Sequence, residues 1–126
     1  MKLRVICKSK IHNAVVTAAD IDYIGSIGID HTLMTLTDIV PGEQVSVWNI
    51  NSGERIETYA ISLPDHSGRV VVNGAAARHF HPGDRIIIAA FSLTDEPVVP
   101  KMIAVNERNE LVEHLSDARP SHELVP

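Results

Sequence analysis

With 126 residues, 44% of them hydrophobic and 21% charged, the chain has the make-up of a globular protein large enough for one core, which excludes a disordered class. A formal net charge of −5 would repel a phosphate backbone and disfavours nucleic acid as a partner. The lone Cys7 has no internal disulfide partner, no leader-like segment precedes the first strand-like run, and no apolar stretch nears the ~20 residues of a membrane span, so a soluble, cytoplasmic protein is expected.

Apolar runs along the chain are short, rich in Val and Ile, and separated by turn signals, a pattern that predicts strands. Strands are expected at 3–11, 14–21, 26–30, 43–50, 55–62, 68–73 and 85–91, with turns at "VPGE" (40–43), "NSGE" (51–54), "PDHSG" (64–68) and "HPGD" (81–84). Helical character is expected at 30–39, where Asp30 or Thr32 would cap, and at 73–80, where Asn73 would cap an alanine-rich turn. This punctuation suits a small barrel. The two Pro-Gly-acid turns, each followed at once by a strand, mark either two related barrel halves or simply two type II turns, which favour Pro-Gly in any case. After about residue 104 the apolar pattern decays; residues 1–115 are read as a single domain and 116–126 as a frayed tail.

Within "YIGSIGID" (23–30), a Gly-Ser pair interrupts alternating apolar residues. Locally it reads as a tight turn or bulge, since glycine reaches backbone angles closed to β-branched residues. The sharper reading is that the Gly25-Ser26 bond is itself reactive. Other residue sets carry weaker chemistry. His79 and His81 flank Phe80 and would share a strand face as metal ligands do, but no third ligand stands at a recognisable spacing, so no metal is expected. A Ser-His-Asp hydrolase can be assembled around Ser26, yet the G-x-S-x-G elbow is absent. "NGAAA" lacks phosphate-loop spacing and reads as close packing or as backbone open to a small ligand. Trp48 reads as core.

The order of these pieces is more specific than any of them. "KSKIHNAVVTAADIDYIGSIGID", "VWNINSGERIETYAI", "VNGAAA" and "PGDRIIIAAF" follow one another over roughly residues 3–91. Lys-x-His, Asp-x-x-Tyr-x-Gly-Ser, Trp-Asn, Gly-x-Arg, Thr-Tyr-Ala and Asn-Gly-Ala-Ala-Ala together closely resemble the pyruvoyl-dependent aspartate 1-decarboxylase family. Beyond about residue 92 the resemblance is poor.

The resemblance implies a mainly β fold, a small double-psi β-barrel with short helices, assembled as a homotetramer with active sites at subunit boundaries. It implies a precursor that cuts itself at Gly25-Ser26 and turns Ser26 into a covalent pyruvoyl group, the cofactor. That ketone would form a Schiff base with L-aspartate and act as electron sink while the α-carboxylate leaves, making β-alanine for pantothenate. The threonine matching Thr58 would polarise the Gly25 carbonyl and touch substrate; the tyrosine matching Tyr59 would be the proton donor. Lys10 and Arg55 match substrate-carboxylate positions, Asn73, Gly74, Ala75 and Ala76 would line the pocket, and His12 and Tyr23 would stand near the cleavage loop. Two positions depart from familiar members, Ile24 where an acid is common and Ile27 where cysteine is common; they bear on the cleavage rate. Some relatives need an acetyltransferase-like maturation factor, a candidate partner here. Two other functions remain open: a pyruvoyl decarboxylase for another amino acid, and a non-catalytic β-barrel serving as an assembly or binding module.

Overall fold

A computed structural model describes residues 1–115; the expected tail, 116–126, lies outside the described residues. In chain order the elements are β1 (Arg4–Val15), β2 (Ala18–Asp20), β3 (Ser26–Asp30), α1 (His31–Thr37), β4 (Gln44–Asn49), β5 (Arg55–Leu63), β6 (Val70–Asn73), a 3₁₀ turn (Gly74–His79), β7 (Arg85–Thr94), β8 (Lys101–Val105) and β9 (Leu111–His114). The strands form one sheet in the order β2-β6-β3-β5-β4-β7-β1-β8-β9.

That order closes on itself, because β1 runs through Val16 and Thr17 directly into β2. One ribbon therefore supplies both ends of the run from β2 to β1. At the seam the Thr17 amide donates to the Val70 carbonyl at 2.8 Å, and the Thr17 hydroxyl accepts from the Val70 amide at 3.0 Å. Closure removes the free edges that an open sheet would present. β-Branched residues fill the interior: Ile11, Ile27, Ile29, Val45, Val47, Val70, Val72, Ile86 and Ile88 are all buried, while β4 sends Gln44, Ser46 and Trp48 outward between its buried residues. A small barrel of this kind is what the short Val/Ile runs predict.

Strand β3 has the expected bounds. The expected break near residues 12–13 is instead a bulge: β1 continues to Val15 with register shifts on either side of Ser9–Ile11, and Asn13 adopts a φ of 67°. Polar residues there bend a strand without ending it. The two C-terminal strands, β8 and β9, had no clear signal; β9 is exposed along its whole length, so it has no apolar alternation to read.

Helix α1 is capped by Asp30, whose carboxylate accepts from the Thr32 amide at 2.9 Å and also from His66 and Gly68 amides at 3.1 and 2.9 Å. The second expected helix is a 3₁₀ turn. Asn73 stands at its N-cap position without a capping side-chain bond, because that side chain is engaged elsewhere. Trp48 is a correction: it is half-buried on the outer face, under the Arg55 guanidinium at 4.5 Å from its ring centroid, because β4 alternation turns position 48 away from the core.

The two Pro-Gly turns are wired alike. The Gly42 amide donates to Ala60 O at 2.8 Å and Ala60 N returns a bond to Glu43 O at 2.9 Å; Gly83 and Asp84 make the same pair with Val16, at 2.8 and 2.9 Å. With φ of 87° at Gly42 and 93° at Gly83, both have the glycine of a type II turn. Equivalent wiring on two sides of the barrel supports the reading of two related halves.

Asn109, 3% exposed, closes the seam from outside: its Oδ1 accepts from Val15 N at 2.7 Å and its Nδ2 donates to Val15 O and Gly68 O, both at 2.9 Å. An Asn109→Ala substitution strands these backbone groups and is expected to cost about 2–3 kcal/mol, read from the urea midpoint. A loss within experimental error would show that the seam holds without this side chain.

Candidate functional site

Ser26 opens β3 and is 2% exposed. It pairs with Asn73 across the antiparallel β3-β6 ladder, and Asn73 Nδ2 donates to Ser26 Oγ at 3.1 Å. The hydroxyl's own proton faces the Ile24 carbonyl at 3.4 Å, a long contact. Just before it, Ile21 to Gly25 are exposed, with Ile24 at 76%. The boundary between buried strand and exposed loop therefore falls on the Gly25-Ser26 bond, with the hydroxyl anchored on the strand side.

Gly25 is not in the left-handed region, and a Cβ on it would meet nothing within 4 Å. The glycine conformation that "YIGSIGID" invites is found at Gly74, with φ of 77°. A Cβ on Gly74 would lie 2.6 Å from Gly25 Cα and 2.9 Å from Gly25 N.

Strand β5 lies on the other side of β3, parallel to it, with Ile27 opposite Ala60. Tyr59 and Thr58 directly precede Ala60 on β5, as Ser26 and Gly25 directly precede Ile27 at the start of β3. Thr58 is half-buried and Tyr59 is 40% exposed at the barrel rim. Among the described residues no hydrogen bond joins Thr58 to Gly25. Ala75 and Ala76 follow Gly74 on the 3₁₀ turn, and Tyr23 lies in the exposed loop with its carbonyl 3.2 Å from the same Cβ position on Gly74.

The cations stand apart. Lys10 and His12 lie on β1, which β2 and β6 separate from β3 on one side and β7, β4 and β5 on the other. Arg55 is four residues before Tyr59, ~13 Å along the strand at ~3.3 Å per residue, and stacks on Trp48. Among the described residues neither Lys10 nor Arg55 bonds to Gly25 or Ser26. The buried His12 Nδ1 has no hydrogen-bond partner, and burial, reinforced by Lys10 and Arg85, holds its pKa below the usual histidine range, favouring neutral imidazole. One chain thus gathers Gly25, Ser26, Thr58, Tyr59, Asn73 and Gly74, and leaves Lys10, His12 and Arg55 on other faces.

His79 and His81 each face a carboxylate of their own, Glu54 at 3.5 Å and Asp84 at 3.7 Å, so the shared strand face expected of them does not form. The 3₁₀ turn between them and the preceding alanines breaks the alternation that would have aligned them. A cleft of 580 Å³ between α1 and the 106–111 loop is lined by Asp30, Leu33, His66, Arg108 and Leu111 and includes none of the residues around Ser26.

Asn49 was not singled out from the sequence. It is buried, donates to His79 O at 3.0 Å and to Asp84 Oδ2 at 2.9 Å, and so anchors the far end of the 3₁₀ turn. That bond is the chief reason the Asp84 carboxyl is held below the usual carboxylate range. Its only signal is the Trp-Asn dipeptide ahead of the "NSGE" turn.

Residues 1–112 match the family described as Aspartate decarboxylase. The chain is similar to the aspartate 1-decarboxylase of Moorella thermoacetica, 49% identical over 112 residues that cover 86% of this chain and 88% of the relative. It is likewise similar to that of Myxococcus xanthus, at 46% over 113 residues, 86% and 87% of the two chains, and to that of Kosmotoga olearia, at 49% over 112 residues, 87% and 97%.

Proposed function

The chain belongs to the aspartate decarboxylase family, and on that premise we propose that it cuts itself between Gly25 and Ser26 and then releases the α-carboxylate of L-aspartate as CO₂, leaving β-alanine for pantothenate synthesis. The observation that carries this reading is the buried Ser26 hydroxyl, held by Asn73 at the point where strand becomes exposed loop.

The cleavage chemistry balances without an oxidant. Ser26 Oγ attacks the Gly25 carbonyl carbon, the C–N bond breaks, and the hydroxyl proton ends on the freed amine, giving an ester. Loss of the Ser26 Cα proton expels the Gly25 carboxylate; water then replaces the amine as ammonia, and a ketone remains on the new chain start. Asn73 orients the oxygen, and Thr58, one strand away from Gly25, stabilises the carbonyl oxygen as it gains charge. The residues present fit a pyruvoyl group: Ser26 supplies its carbon skeleton, it is buried, and the loop before it is exposed.

Once formed, the pyruvoyl group supplies the electron sink for release of CO₂ from an amino acid. The chain's own residues do the rest. Tyr59 Oη delivers a proton to the substrate carbon that lost the carboxylate. Asn73 with the 74–76 backbone lines the pocket, and His12 and Tyr23 support it. Arg55, braced on Trp48, grips one carboxylate through its planar fork, and Lys10 meets the other. The stronger grip belongs on the carboxylate that stays, since holding the departing one stabilises the ground state more than the transition state.

Because neither Lys10 nor Arg55 bonds to Ser26 among the described residues of one chain, the complete site takes cations from a neighbouring copy, in a homotetramer with sites at subunit boundaries. Val5, Phe91 and Leu93, paired across β1 and β7 and exposed, supply apolar surface for that assembly. No helix among the described residues is long and apolar enough to cross a membrane. We place the enzyme in the cytoplasm, with residues 1–115 as one barrel domain cut into a short and a long piece.

Denaturing mass spectrometry after warming tests the reading. Two fragments are expected, 1–25 and 26–126, the second beginning with a ketone in place of an amine, and the matured protein should form β-alanine from aspartate and turn over glutamate poorly. A time course with and without an acetyltransferase-like helper shows whether Ile24 and Ile27 make maturation dependent on one. A chain that stays whole under every condition would leave a non-catalytic barrel module, and preference for glutamate would reassign the substrate.

A further inference from the structure

Asn73 and Gly74 hold the two sides of the Gly25-Ser26 bond separately. Asn73 bonds the attacking oxygen at 3.1 Å. Gly74 instead meets the residue under attack: the space a Cβ would take is filled by Gly25 Cα at 2.6 Å and Gly25 N at 2.9 Å, with Tyr23 O at 3.2 Å. These are backbone atoms, with no flexible side chain to yield. Gly74 also holds a φ of 77°, which turns its bare Cα toward the loop. Around it, Ile24 and Gly25 are exposed, so little else restrains that stretch.

We propose that Gly74 is a positioning residue for self-cleavage, its bare α-carbon seating the Gly25 backbone so that the carbonyl meets the Ser26 hydroxyl. The inference rests on the cleavage reading above and adds to it the part that orients the electrophile. Ester formation needs oxygen and carbonyl carbon in near-attack register, and a misplacement of about 1 Å costs on the order of 10²-fold in rate. A methyl on Gly74 must push the Gly25 backbone by that order of distance.

The test compares cleavage rates of purified full-length Gly74→Ala and Gly83→Ala by denaturing mass spectrometry, with circular dichroism to verify folding. Gly83 also has a positive φ, 93°, but a Cβ there meets nothing within 4 Å, so it carries the same left-handed penalty without the contact. Gly74→Ala is expected to cleave on the order of 10²-fold more slowly, and Gly83→Ala at the wild-type rate. Brief hydroxylamine treatment, which cuts an ester but spares an amide, should release less 1–25 fragment from Gly74→Ala than from wild type at equal folded protein. Equal slowing of both variants, a wild-type rate or an accelerated one in Gly74→Ala, or a Gly74→Ala chain that does not fold would each overturn the positioning role while cleavage of the wild type stands. A wild type that never cleaves removes the cleavage reading and this inference with it.

Discussion

Ser26→Ala is expected to leave a single chain of 126 residues that forms no β-alanine above the assay background. The substitution removes one oxygen, and with it the nucleophile proposed to attack the Gly25 carbonyl. It also deletes the acceptor of the Asn73 bond, since Asn73 Nδ2 donates to Ser26 Oγ. Leaving that buried amide without a partner costs about 1–3 kcal/mol, so the melting temperature should fall modestly while the barrel persists. The two effects are separable. A folded, uncut and inactive Ser26→Ala chain fits the scheme; cleavage at the same bond in that variant would show that another group attacks and would end the assignment of the ketone to residue 26.

Tyr59→Phe should do the reverse, cutting normally and then failing to turn over. Tyr59 directly precedes Ala60, the β5 partner of Ile27, but its ring is 40% exposed, so loss of its hydroxyl strands nothing buried. Stability should change by less than about 0.5 kcal/mol, as for most surface changes. Loss of a general acid reduces rate by on the order of 10²–10⁴-fold, and this is the fall expected in kcat for β-alanine. CO₂ release measured separately would show whether the missing step is protonation. Full activity in the Phe variant would move the proton donor elsewhere.

Both variants isolate residues that chain order made visible long before any contact did. Thr-Tyr-Ala and Asn-Gly-Ala-Ala-Ala are only a strand and a turn when taken alone. Their meaning lies in the β3 strand that runs between them, with Ala60 opposite Ile27 on one side and Asn73 opposite Ser26 on the other. The sequence also misled in definite ways. Asn73 has the residue type of a helix cap, and its side chain goes to Ser26 instead. Trp48 has the size of a core residue, yet strand alternation turns it outward under Arg55. At Asn73 a capping preference worth about 1 kcal/mol gave way to a tertiary contact, whereas at Trp48 alternation along β4 outweighed side-chain size.

What the amino-acid order determined by itself was the mainly β class, the turns, the β3 bounds and the family, though not β8 and β9, because alternation and turn chemistry are local and motif order survives without coordinates. Tertiary structure alone decided which residues meet. Closure of the barrel through the β1-β2 ribbon, the Asn109 clasp on its seam, and the seating of Gly25 on Gly74 all join residues far apart in the chain. It also decided which do not meet: Arg55 stacks on Trp48, and among the described residues no hydrogen bond joins Lys10 or Arg55 to Ser26. Contacts of that kind depend on where strands are placed in the ring, and no local pattern records it.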